Sequence, residues 1–507
     1  MQKVRGGFVI ILRISIYLNI MITVVLLVAL LTKGGVGRKD GTAVGSAFES
    51  SGSTSRYALT EALVEDGTIF FNEKRARFSS PDVSEYDGNY FSLFNPGVSI
   101  MGMPFYAIGK RLGDPQLGTY FLSILLAVGN AFLVMKLAQR FGAGRWASLL
   151  SGLLFLYGTN MLSYSLTFTQ HPASTFFILL ATLSALGRRS ILNNIAFGAL
   201  YGAGLLVDMP NGIIMMPLVF YVFTKLVGVE KKANVKRVSL KLNFTGLLIG
   251  LIPFIMIIGW YNYSLTGSYM NLPQFVGRSD AFSVKSSDAV KKPKEDVEIG
   301  LPFNSRNQLT GFYVFLVSSE RSVVFYEPIV LVGLIGLYLA YRKDSLRGEL
   351  VTIMALMLVN FITYTMFSDP TGSWAFGPRY LIPGIAVLSA GIGIGLEKYK
   401  RNIMFILIFL MLSVYSVGVN VMGAMTTTQV PPKIEAVNLT DPIPYTYEYN
   451  WQLITEEGLN SSLFYNTYLS ESFTPLDFAL FYTFIIFGLI TLIYIFLLFE
   501  ERKIIKS

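Results

Sequence analysis

The chain has 507 residues, 52% of them hydrophobic and only 14% charged, with a mean hydropathy of +0.53. Soluble chains carry about a quarter charged residues, so this composition excludes an ordinary soluble enzyme and points to a polytopic membrane protein. Cysteine is absent, which removes disulfide scaffolds, thiolate metal sites and cysteine nucleophiles, and a single histidine, His171, argues against a histidine-rich metal centre or a His-based triad.

Apolar runs fall near 14–32, 118–137, 146–166, 168–187, 192–207, 212–228, 243–262, 323–341, 350–367, 381–396, 402–423 and 478–499. They predict an all-α polytopic membrane protein of about twelve transmembrane helices, several of them needing tilt to cover roughly 30 Å of hydrocarbon. The first run is long and lacks a small-residue cleavage site, so it reads as a span and not as a cleaved signal.

Lys and Arg set the orientation. Lys3, Arg5 and Arg13 precede the first run; Arg140 and Arg145, Arg188 and Arg189, Lys231 to Lys241, Arg342 to Arg347, Lys398 to Arg401 and Arg502 to Lys506 then mark alternate connections. This pattern predicts both termini in the cytoplasm. The net charge of +9 is therefore topological, which argues against a nucleic-acid partner, although the cluster in the 230s could also touch anionic lipid. The expected organisation is a membrane core over 1–423 with outer loops at 33–117 and 263–322, an outer loop or small cap over 424–477, and a last span with its cytoplasmic tail over 478–507.

The first outer loop has local logic. Ala58, Leu59, Ala62 and Leu63 share one face of a predicted amphipathic helix over 55–65, suited to the membrane surface, with Gly67 at its C-terminal cap. Asp87-Gly88 predicts a tight turn between two extended pieces, and Asn95-Pro96-Gly97 breaks the chain before an apolar stretch, 98–108, too short to span. The stretch 284–298 in the second outer loop is charged and expected to be mobile. The third is rich in tyrosine (Tyr445, Tyr447, Tyr449, Tyr465 and Tyr468, with Trp451) and reads as a local core, an interfacial belt or an acceptor-facing surface.

No phosphate-binding glycine loop, zinc-spaced cluster or nucleophile elbow appears. Carboxylates and arginines at the outer face do. Glycosyl transfer by single displacement needs a carboxylate to take the acceptor proton and cations to hold the departing phosphate. Glu49, Glu61, Asp82 and Asp87 are the first-loop acids, with turn-making the competing role for Asp87 and solvation for Glu61. Asp208, in LLVDMPNG between two runs, is a further candidate because acids near membrane depth usually have a partner or a function. His171 could bind a phosphate or sugar or cap a turn. Arg379 is the lone base of a short outer connection, flanked by Trp374, Phe376 and Tyr380, and reads as a phosphate ligand.

The order of these motifs resembles the multispan glycosyltransferases of the C superfamily, in the branch of protein O-mannosyltransferases and aminoarabinose transferases. The resemblance rests on SRYALTEALVEDGT at 55–68, YDGNYFS at 86–92, Asn95-Pro96-Gly97, His171 and GSWAFGPRYL at 372–381. It implies a polyprenyl- or dolichyl-phosphate-linked sugar donor, a glycan, lipid or protein acceptor, an extracytoplasmic active site within membrane lipid, and an acid early in the first loop as base. Where relatives often have Asp-Glu before the Arg-Tyr step this chain has Ser53 and Thr54, and Phe94 and Asn95 stand where Lys often precedes the proline break. The base is therefore expected among Glu49, Asp82 and Asp208, with Arg56, Tyr57, Asp87, Asn95, His171, Arg379 and Tyr380 binding donor phosphate or substrate. The sequence indicates no cofactor and leaves a divalent metal open. A lipid-linked-sugar flippase or transporter, with Glu327 as its intramembrane acid, and a polysaccharide polymerase or ligase are the alternatives.

Overall fold

The structure, a computed structural model, describes residues 18–34, 44–188, 190–232, 235–240, 243–279, 281 and 303–504. Lys3, Arg5, Arg13, Arg189, Lys241, Lys506 and the charged stretch 284–298 lie outside the described residues. In chain order the helices and strands are α1 (Leu18–Ala29), α2 (Ser51–Glu65), α3 (Glu73–Ser79), β1 (Val83–Tyr86), β2 (Asn89–Ser92), α4 (Gly97–Leu112), α5 (Pro115–Arg140), α6 (Arg145–Tyr157), α7 (Met161–Ser165), α8 (Gln170–Ala185), α9 (Ile191–Val207), α10 (Pro210–Ile214), α11 (Met216–Leu226), β3 (Val227–Lys232) and β4 (Val235–Leu240). They continue with α12 (Phe244–Thr266), α13 (Pro273–Val276), α14 (Gln308–Leu316), α15 (Val323–Tyr326), α16 (Leu331–Tyr341), α17 (Arg347–Thr365), α18 (Ile382–Tyr399), α19 (Ile403–Met425), α20 (Lys433–Ala436), α21 (Tyr447–Thr455) and α22 (Pro475–Ile504).

Every apolar run forms helix, but among the described residues six helices are long and apolar enough to cross a membrane: α5, α12, α17, α18 with its preceding 3-10 turn (Arg379–Leu381), α19 and α22. The chain is an integral membrane protein whose other runs are shorter or broken. The run at 146–166 breaks after α6 because Asn160 gives its backbone N–H to Glu327 Oε2 at 2.9 Å and not to the helical ladder. The run at 323–341 breaks at Glu327-Pro328, and that at 212–228 at Met215, just before Pro217; a proline has no N–H to continue a ladder. The hairpin β3–β4, in the cytoplasmic loop of the predicted topology, was not foreseen.

Helix α18 is largely enclosed, whereas α12 and α22 present most of their length outward. Glycines set the closest approaches. A Cβ on Gly336 of α16 would lie 1.8 Å from the Gly391 carbonyl of α18, and one on Gly250 of α12 would lie 2.1 Å from the Ile195 carbonyl of α9. Both helix pairs therefore pack backbone to backbone, the usual route to tight association where apolar burial gives little net drive.

The first loop folds into a small module instead of lying on the membrane surface. Helix α2 starts at Ser51, earlier than expected, with Ser50 as its N-cap, and residues Ser53 to Thr60 are all buried. The reason is that its polar face is covered too: Ser55 Oγ meets Ser92 Oγ at 2.9 Å, and Thr60 Oγ1 donates to the Ser99 carbonyl at 3.1 Å. Its apolar face, with Ala58, Leu59 and Ala62, joins Phe71, Val83 and Phe91, and the C-terminal end of α12 at Tyr261 and Leu265 closes this core. The Asp87-Gly88 turn joins β1 to β2 as the sequence predicts. The stretch 98–108 is the middle of α4, packed on α2.

Candidate active site

Arg56 stands in the second turn of α2. Its residue is 3% exposed, Nη1 donates to the Gly52 carbonyl at 2.7 Å, and the guanidinium lies 3.9 Å from the centre of the Phe94 ring. Nε is buried with no hydrogen-bond partner. After β2 the chain is stitched to the end of α9. Asn95 Nδ2 donates to the Leu205 carbonyl at 3.3 Å, and Gly97 sits so close that a Cβ there would be 2.5 Å from the Leu206 carbonyl. That seam delivers Asp208, the residue that ends α9, to the neighbourhood of Arg56.

The Asp208 carboxylate makes no hydrogen bond and no ion pair closer than 4 Å among the described residues. Burial pushes it up to about 6, and the charge of Arg56 opposes the rise. Burial pulls the Arg56 guanidinium down to about 10; Asp208 and Asp82 oppose this and Arg379 adds to it. At neutral pH the carboxylate is ionised and the guanidinium protonated.

The second arginine arrives from the 372–378 loop. Gly372 and Gly377 adopt left-handed backbone, with φ of +74° and +61°, and fold the loop back on itself. Arg379 Nη2 donates to the Gly372 carbonyl at 2.8 Å and to Tyr380 Oη at 3.3 Å, while Nε is buried without a partner. Tyr380 is fixed from below by Tyr364, stacked 4.7 Å away at 6°. His171, buried at the start of α8, meets Tyr164 edge-on at 4.9 Å and Tyr380 at 6.1 Å, within electrostatic reach of both arginines. Tyr164 Oη in turn donates to the Phe376 carbonyl and accepts from its N–H, each at 3.2 Å, so α7 holds the loop.

Neither Arg56 nor Arg379 forms an ion pair with a carboxylate among the described residues. A buried guanidinium (Arg56) and a half-buried one (Arg379) without a directly paired carboxylate leave donors for an anion to satisfy. Arginine suits phosphate because its planar fork can donate in parallel to two oxygens.

The other expected residues are differently engaged. Glu49 is a structural hub: it accepts from Lys33 Nζ at 3.1 Å, Gly45 N at 2.7 Å, Thr427 Oγ1 at 2.6 Å, Thr428 N at 2.7 Å and Thr428 Oγ1 at 2.6 Å. Asp82 accepts from Ser51 Oγ at 2.6 Å and pairs with Arg278 Nε and Nη2 at 3.0 and 2.7 Å. It lies within electrostatic reach of Arg56. Asp87 sits with positive φ at the exposed hairpin tip. Tyr57 is buried between Phe48 and Tyr106, and burial, followed by its tyrosine neighbour, raises its hydroxyl. Glu61 pairs with Arg75 at 2.7 Å.

Sequence reasoning missed Arg321. Its guanidinium is fully buried and donates to six carbonyls, those of Glu320, Thr371, Ser373, Val430, Pro431 and Tyr445. It thereby ties three segments distant in sequence and holds both neighbours of Gly372. A base two residues before an apolar run was the available signal, but its position at the end of a long loop hid it. Tyr364, near the end of an apolar run, gave no signal at all. Glu327 is fully buried and accepts from Asn160 N. Among the described residues no group of three or more His, Asp or Glu could hold a metal ion.

No family model and no curated protein matches the chain. Among solved structures it is similar to the crystal structure of ArnT from Cupriavidus metallidurans bound to undecaprenyl phosphate, with a TM-score of 0.46 and 12% identity over 80% of this chain and 69% of that one. It is also similar to the same protein in the apo state, with a TM-score of 0.47 and 12% identity over 95% of this chain and 77% of that one.

Proposed function

We propose that this chain is a membrane glycosyltransferase that moves a sugar from a polyprenyl- or dolichyl-phosphate carrier to a hydroxyl-bearing glycan, lipid or protein. One observation carries the reading: two guanidiniums without ion-pair partners, the buried Arg56 and the half-buried Arg379, each with a buried unpartnered Nε, share their surroundings with one unpartnered carboxylate, Asp208.

In this reading Arg56 and Arg379 hold the donor phosphate, and their unpartnered Nε–H groups donate to its oxygens. Asp208 accepts the proton of the acceptor hydroxyl as that oxygen bonds to the anomeric carbon. The bond from that carbon to the phosphate oxygen breaks, and the lipid phosphate leaves with its electron pair against the two cations. Asp208 suits the role because it is ionised at neutral pH yet raised towards the operating pH. Of the other expected bases, Glu49 has its oxygens occupied by five donors and Asp82 is held by Arg278, so both serve better as supports. His171 and Tyr380 shape the floor beneath the phosphate.

The test is transfer by protein reconstituted in lipid, with a panel of polyprenyl-phosphate sugars as donors and binding of unsubstituted polyprenyl phosphate measured in parallel. The reading expects Asp208→Asn to abolish transfer while retaining phosphate binding, and Arg56→Met and Arg379→Ala to weaken both. Full transfer by Asp208→Asn, or unaltered phosphate binding by both arginine variants, overturns it. Transport of an intact sugar-lipid without transfer would favour a flippase instead.

A further inference from the structure

A cavity of about 450 Å³ opens at the same end of the bundle as the 372–378 loop, lined by Ser319, Phe325, Tyr445, Tyr447, Glu448 and Trp451 among others. Its size falls within the range of roughly 300–1,000 Å³ typical of small-molecule sites. It is separate from the Arg56–Asp208 centre. The Tyr447 ring packs edge-on against Tyr326 at 5.6 Å, and Tyr326 against Phe376 at 5.1 Å, so a layer of rings stands between the cavity and the loop that carries Arg379.

The chemistry of the lining is specific. Trp451 is 46% exposed, and Tyr445 and Tyr447 are partly exposed, so aromatic surface is presented to a guest. Between these rings stand groups with open hydrogen-bonding capacity: among the described residues the Glu448 carboxylate, the Ser319 hydroxyl, the Tyr445 hydroxyl and the Trp451 indole N–H have no partner. A purely lipid-facing belt needs no exposed carboxylate at its centre. A sugar uses both features, since its C–H face meets the negative face of an aromatic ring while its hydroxyls donate to a carboxylate and accept from N–H and O–H groups.

We propose that this cavity is a saccharide-binding subsite for an uncharged, hydroxyl-rich glycan, with Trp451 as the stacking platform and Glu448 as the hydroxyl acceptor. The carboxylate disfavours acidic sugars. The cavity is mechanically linked to the reaction centre, because Arg321 holds the Tyr445 carbonyl at 3.3 Å and the Ser373 carbonyl at 3.2 Å with one guanidinium. That the bound glycan is the acceptor rests on the transferase reading; that a glycan binds does not.

The experiment is a fluorescence titration of the full chain in nanodiscs with maltotriose, mannotriose, chitotriose and, as an acidic control, trigalacturonic acid. The chain has four tryptophans, so the Trp451→Phe variant defines the signal of this one. The expected result is a saturable change with at least one neutral trisaccharide, absent in Trp451→Phe, weakened about tenfold or more in Glu448→Ala, and retained in Asp208→Asn. Both altered side chains are exposed, and unchanged thermal unfolding confirms that the variants fold. No saturable change with any neutral trisaccharide, an equal response in Trp451→Phe, or equal affinity for the acidic control overturns the proposal. Saccharide binding without transfer from any lipid-phosphate sugar would sink the transferase reading and leave the subsite standing; transfer without saccharide binding would do the reverse.

Discussion

Arg379 closes its own loop by donating from Nη2 to the Gly372 carbonyl at 2.8 Å, leaving Nε buried and unpartnered. The carbonyls on either side of Gly372 belong to Arg321. One arginine therefore shapes the seat of the other. Arg321→Met is expected to free the 372–378 loop, seen as new protease cleavage near it, and to weaken polyprenyl-phosphate binding about as much as Arg379→Ala. Loss of one charged hydrogen-bonding group costs about 1.5–3 kcal/mol, or roughly ten- to a hundredfold in affinity. Unchanged affinity in Arg321→Met would separate the two arginines.

The pH dependence of transfer follows from Asp208. The base must be ionised, and its carboxyl sits at about 6, so the rate is expected to be half-maximal near that pH and to fall about tenfold per unit below it. Arg56 lowers this value, so removing its charge in Arg56→Met shifts the acidic limb to higher pH. Measuring the residual rate of Arg56→Met from pH 5 to 8 checks the sign.

Glu49 is expected to matter for stability and not for chemistry. Its ion pair with Lys33 is fully buried, and removing one partner of such a pair costs about 3–5 kcal/mol. Glu49→Ala should lower the thermal unfolding temperature sharply, while the molecules that remain folded transfer sugar at an unaltered rate. A variant that unfolds normally but has lost transfer would return Glu49 to the role of base.

Gly97→Ala tests the seam that delivers Asp208. Its Cβ would press on the Leu206 carbonyl, two residues before the carboxylate, at 2.5 Å. Overpacking of this kind costs roughly 1–3 kcal/mol. The expected outcome is a fall in kcat larger than the change in KM, because the base moves while the arginines stay; a change in KM alone would contradict the assigned geometry.

The absence of cysteine makes topology directly measurable. With both termini in the cytoplasm, single substitutions Asp87→Cys and Lys343→Cys, both at exposed positions, should label from opposite sides of sealed vesicles. Labelling from the same side would overturn the proposed orientation.

By itself the sequence determined what local chemistry controls. The apolar runs became helices, Asp87-Gly88 became the hairpin turn, and Asn95-Pro96-Gly97 ended the extended segment, because periodicity and glycine or proline geometry act over a few residues. Arg379 stands out along the chain as the lone base of a short connection, whereas only folding brings it within electrostatic reach of Arg56. The tertiary structure decided which helices are long enough to cross, because Glu327 taking the Asn160 N–H interrupts an otherwise continuous apolar run. It also decided which acids are free. Glu49, Asp82 and Asp208 look alike along the chain, yet the first is saturated by donors from Gly45 and from residues more than 370 positions away, the second is bound by Arg278, and the third is left open beside Arg56. Whether a carboxylate is a strut or a base depends on which donors reach it, and those arrive from segments that only folding brings together.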